Sequence, residues 1–153
     1  NAAGVNINDY LLALRQVPEP VLAAFNAAGW TYRIDFDYMG GLSKKLNMSC
    51  IGATNYSQKT IYLSEASATL HEFGHFLDWM LGFPAEYEQL FRAEASAAPL
   101  RNYAKTDSRE YFADCFAYWV KYAENANAIS LLQECAPMTY RYMEDLMRIA
   151  NRL

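Results

Sequence analysis

Near its middle the chain reads Leu70-His71-Glu72-Phe73-Gly74-His75-Phe76-Leu77-Asp78. Four residues is slightly more than one helical turn, so in a helix His71 and His75 project from one face, about 40° apart around the axis. Two imidazoles placed this way can grip one tetrahedral zinc ion, with Glu72 beside them in reach of a coordinated water. The chain has only 2 His residues, and they fall at this spacing with a Glu after the first. Leu70, Phe73, Leu77 and Met80 form an apolar stripe that would anchor such a helix in a core. Asp78 lies near the line of the two histidines and is a candidate to orient an imidazole through its free N–H, or else a solvated surface acid.

A catalytic zinc needs a third protein ligand and one open position. With no third His, that ligand must be a carboxylate or Cys. Six residues after His75 stands Leu81, so the long three-histidine pattern is excluded. Two acids compete, Glu94 and Glu110. Helices that present a ligating carboxylate commonly carry a second acid one turn later to hold a ligating imidazole. Asp114 fills that place after Glu110, whereas Ala98 fills it after Glu94. The Glu110 helix also has a strong apolar face (Tyr111, Phe112, Cys115, Phe116, Trp119, Val120). Glu94 stands in an Ala-rich, Pro-terminated stretch that reads as a surface helix end. Glu110 is therefore the preferred ligand.

Outward from the motif, Asn8 or Asp9 can cap a first helix, and a second follows Pro18 and Pro20 and ends at Gly29. Trp30, Tyr32, Ile34, Phe36 and Tyr38 alternate with polar residues, the period of a half-buried strand. Gly40-Gly41 opens a stretch to Asn47 that reads as a mobile flap or a plain solvated loop. Shorter strands are expected near Met48 to Ala53 and Thr60 to Leu63. From Ser64 the chain reads as helical almost to its end, with stops at Gly82, around Pro99 and at Pro137. The expected class is α+β in one domain over residues 1–153.

The 153 residues suit one domain with a sizeable core, and 53% hydrophobic against 20% charged residues is a globular composition. With 13 Lys+Arg against 17 Asp+Glu the net charge is -4. Lacking a basic stripe, the chain is not expected to bind nucleic acid or an anionic membrane. No apolar run approaches the length of a bilayer span. The sequence opens on Asn1 without a signal-like stretch, so a processed form or an expressed fragment is expected. Cys50, Cys115 and Cys135 are far apart and odd in number. They read as buried thiols, with one bridge plus a spare thiol as the alternative.

These stretches resemble the zinc proteases related to the catalytic domain of anthrax lethal factor, which include the Pro-Pro endopeptidases. The likeness rests on Leu70 to His75 with Asp78, and on Tyr103 standing seven residues ahead of Glu110-Tyr111-Phe112-Ala113-Asp114. The family more often has Glu where this chain has Asp114. The resemblance implies a zincin-like fold with a small mixed or antiparallel sheet, the motif helix and a helical C-terminal half. It implies one zinc ion per chain on His71, His75 and Glu110, Glu72 as general base, and Tyr103 as an oxyanion or leaving-group partner. On residues alone Tyr103 is one of 12 tyrosines. The resemblance further implies an extended peptide lying antiparallel to an edge strand, with Met48 to Ala53 the candidate, and a secreted or toxin-associated setting. Alternative readings are a catalytically inactive protease-like module that binds a protein partner, and a helical domain whose His pair is accidental.

Overall fold

Asn6, rather than Asn8 or Asp9, begins the first helix: its side chain accepts the Asn8 N–H and caps α1 (Ile7–Gln16). The computed structural model describes residues 5–150. Pro18 and Pro20 open α2 (Glu19–Ala27), where a missing N–H costs nothing. Gly29, at φ 78°, turns the chain out of it.

The expected long strand is cut to β1 (Thr31–Ile34). Asp35 is the reason. Its backbone N–H closes onto the Leu63 carbonyl, while its side chain accepts the Tyr38 N–H and starts α3 (Phe36–Leu46). Alternation through Phe36 and Tyr38 thus gives way to a helix cap, and the expected flap or loop after Gly40 is helical. Asn47, at φ 52°, ends α3.

The sheet is small and mixed. β2 (Gly52–Asn55) pairs antiparallel with β3 (Thr60–Leu63), which pairs in parallel with β1, giving the order β1-β3-β2. β2 is therefore an edge strand, but it lies later than the expected Met48 to Ala53. β3 is buried along its whole length.

Behind the sheet, α4 (Thr69–Met80) carries the histidine motif and packs on α6 (Ser108–Lys121). Gly74 permits the approach. A Cβ there would lie 2.7 Å from Ala113 Cα and 2.8 Å from its carbonyl oxygen. Phe25, Trp30, Phe73, Phe76, Phe112 and Phe116 fill the core around this crossing. Gly82, at φ 75°, ends the α4 turn, and α5 (Glu86–Glu94) follows.

The remaining helices are α7 (Ala126–Cys135) and α8 (Pro137–Ala150). Glu94 is buried, which corrects its reading as a surface helix end. Its carboxylate accepts the Met138 N–H, the Thr139 N–H and the Thr139 hydroxyl at 2.7–3.0 Å, capping α8. Cys50, Cys115 and Cys135 are unbridged. No helix among the described residues is long and apolar enough to cross a membrane.

Candidate metal centre

α4 aims both imidazoles at one point, and α6 brings Glu110 to it from the opposite side. His71 Nε2 and His75 Nε2 are 3.2 Å apart, and Glu110 Oε2 lies 2.8 Å from the first and 3.3 Å from the second. The Glu72 carboxylate belongs to the same group, each offering an atom within 4.8 Å of the others in the His71, Glu72, His75 set. Glu94, holding α8, is not part of this cluster.

The far side of His71 fixes its proton. Nδ1 meets Asp114 Oδ1 at 2.5 Å, so Nδ1–H donates to the carboxylate and the neutral ring turns its Nε2 lone pair inward. Two imidazole nitrogens and a carboxylate oxygen then converge within 3.3 Å. Without a cation between them such lone pairs repel; a proton or a metal ion resolves this. In the absence of metal a proton does so. Burial opposes a charged ring, but the hydrogen bonds to Asp114 and Glu110 outweigh it and lift His71 to about 9. Burial likewise opposes ionised Glu110, and the bonds to His71 and His75 overcome it, pulling the acid down to about 2. Nitrogen, nitrogen and carboxylate at one point are a donor set that suits zinc.

Two residues outside the motif spacings complete the surroundings. Arg101 forks onto Asp114, Nε to Oδ2 at 2.7 Å and Nη2 to Oδ1 at 3.0 Å. Thr54, one residue past the expected strand Met48 to Ala53, lies in β2 and donates its hydroxyl to Glu72 Oε2 at 2.8 Å. Gly52 lets β2 pass this close: a Cβ there would stand 2.8 Å from the Ala68 Cβ and 3.0 Å from the Glu72 Cγ.

Tyr103 sits in a short 3-10 turn (Asn102–Lys105), its ring 6.0 Å from that of His71 and half-exposed. Burial, then the Glu110 and Glu72 carboxylates, push its hydroxyl up to about 12, so it remains a donor at neutral pH. Asp78 is buried rather than solvated, and burial raises it to about 6. It is hydrogen-bonded to neither imidazole among the described residues, and the buried His75 Nδ1 has no partner there.

A family model described as "Anthrax toxin lethal factor, N- and C-terminal domain" matches residues 32–146. This chain belongs to the anthrax lethal factor family. Two further likenesses agree. A Pro-Pro endopeptidase of Clostridioides difficile (strain 630) is 30% identical over 83 residues, covering 52% of this lethal factor relative and 36% of that protein. The chain therefore spans about a third of the length of the curated relative it matches. The solved structure of the Pro-Pro endopeptidase PPEP-2 from Paenibacillus alvei superposes with a TM-score of 0.71 over 95% of each chain, at 18% identity. That likeness establishes the fold, an α+β arrangement with a small mixed sheet and the histidine motif on α4.

Proposed function

We propose that the protein is a zinc-dependent endopeptidase holding one zinc ion per chain on His71, His75 and Glu110. One observation carries this reading: three donor atoms converge within 3.3 Å, with the His71 tautomer set by Asp114. Membership of the lethal factor family and the Pro-Pro endopeptidase likenesses support it. When bound, zinc supplies a Lewis acid that polarises a carbonyl and acidifies a water.

The chain's own groups account for the rest. Glu72 takes a proton from the attacking water, the water oxygen bonds to the peptide carbonyl carbon, and the C–N bond breaks as the proton passes to nitrogen. Thr54 holds one Glu72 oxygen and leaves the other for that proton. Tyr103 O–H donates to the oxyanion that develops on the carbonyl, a bond stronger in the transition state than in the ground state. Asp114, clamped by Arg101, keeps the His71 ring oriented. Asp78 is assigned to the field around His75, which it senses electrostatically. The peptide lies along the open side of β2, whose backbone groups suit strand addition. We place the enzyme in a secreted or toxin-associated setting.

Glu72→Gln decides the chemistry. It should bind zinc as the parent does and lose peptide cleavage by at least about a hundredfold. Zinc-loaded parent that cleaves nothing in a diverse peptide library would instead indicate a binding module.

A further inference from the structure

The cleft in front of His71 and Glu72 is one cavity of about 590 Å³. It runs on beyond the metal centre to Ala117, Tyr118, Lys121 and Tyr122, on and just after the last turns of α6. Its charges are unevenly matched. Glu72 takes the Thr54 hydroxyl, and Asp114 is occupied by His71 and Arg101. Lys121 makes no salt bridge among the described residues; its ammonium lies 5.4 Å from the centroid of the Tyr122 ring. The cavity wall is mixed, with Met48, Ile51, Leu100 and Ala117 among its apolar residues and Ser49, Ser67 and Arg101 among its polar ones. A mixed wall with an unneutralised ammonium in it suits a peptide segment that carries a carboxylate.

The packing gives the direction. α6 runs back along α4: Glu110 lies at His71 and His75, Ala113 at Gly74 and Asp114 at His71. Farther along α6, Lys121 shares the cavity with Ser67 and Ala68, and Ala68 is also where the start of β2 packs. A peptide antiparallel to β2 travels toward the start of that strand, so Lys121 meets residues after the scissile bond. Eleven residues of helix from Glu110 to Lys121 rise about 16 Å, which an extended peptide covers in about five residues.

We propose that Lys121 forms a carboxylate-binding subsite at the far end of the cleft, taking an acidic side chain or the free C-terminus of a peptide within about five residues after the scissile bond. The proposal rests on the peptidase reading and deepens it.

The test uses one set of cleavable peptides in which a single Glu, or Gln in its place, is walked through the positions after the scissile bond. Each is made as C-terminal acid and amide. Zinc-loaded protein reports kcat/KM, and the Glu72→Gln protein reports binding of the intact peptides by fluorescence anisotropy. One position is expected to favour Glu over Gln by about 3- to 10-fold, or the acid over the amide by the same factor, which separates the two carboxylate sources. The preference should fade in about 0.5 M salt, vanish in Lys121→Gln, return in Lys121→Arg and invert toward Lys peptides in Lys121→Glu. Equal ratios in the parent and Lys121→Gln overturn the subsite, leaving Lys121 only its role of complementing the α6 C-terminus, which peptide selectivity does not sense. Cleavage without a Lys121-dependent preference removes the subsite and keeps the peptidase. A Lys121-dependent preference in binding with no cleavage of any peptide keeps the subsite and removes the peptidase. Neither binding nor cleavage overturns both. Should Lys121→Glu fail to fold, the Gln and Arg variants of this exposed position still decide.

Discussion

Asp114 accepts the His71 N–H on one oxygen and the Arg101 guanidinium across both, so the acid that sets the imidazole tautomer is itself held in place. The shorter side chain at this position, where the family more often has Glu, still reaches the ring. Because Arg101 is 56% exposed at its side chain, its Coulombic value is reduced by water, but its fork geometry is not. Arg101→Gln is expected to weaken zinc binding by about 3- to 10-fold with the fold intact, and Arg101→Lys to restore part of the loss. A zinc titration unchanged in Arg101→Gln would remove this positioning role. His71, Glu72, His75, Glu110 and Asp114, which the structure brings together, were legible as a group because each belongs to a spacing within one helix. Tyr103, one of 12 tyrosines, was singled out only by the family resemblance. Arg101 and Thr54 were legible in neither way. Neither is bonded to the three atoms that converge between α4 and α6; each binds a carboxylate whose own partner no local period announces.

The α4–α6 crossing is set by Gly74, where two opposing effects meet. Gly in a helix costs about 1 kcal/mol relative to Ala, which favours replacement. A Cβ 2.7 Å from the Ala113 backbone cannot be accommodated without separating the helices, and overpacking of this kind costs about 1–3 kcal/mol. The clash wins. Gly74→Ala should lower Tm and zinc affinity together, since His75 and Glu110 ride on the two helices that part; a raised Tm would contradict the close approach. The element readings that failed share a cause. The alternation through Tyr38 was overridden by the Asp35 cap, a single side-chain bond that outweighs a pattern. Glu94 looked superficial because its Ala-rich flank carries no trace of α8, whose N-terminus arrives 44 residues later to be capped by it.

Taken over the whole chain, the centre links stability to pH. Without metal, His71 is raised from 6.5 to about 9, so its contribution is complete below pH 6.5 and is lost as the pH climbs through 9. Glu110 is lowered from 4.5 to about 2, so its contribution is complete above pH 4.5 and is lost as the pH falls through 2. Chelator-treated protein should therefore melt highest between pH 4.5 and 6.5. Zinc held as proposed would displace the His71 proton, so the rise in Tm on adding zinc should grow from roughly pH 5 to 8. Calorimetry showing metal-free stability climbing steadily from roughly pH 6 to 9 would contradict the proton-bridged centre. The most direct measurement is a zinc titration of the parent beside Glu110→Ala and Glu94→Gln. One zinc per chain is expected in the parent and in Glu94→Gln, and an affinity lower by more than about a hundredfold in Glu110→Ala. Stoichiometric zinc bound as tightly by Glu110→Ala as by the parent would contradict it.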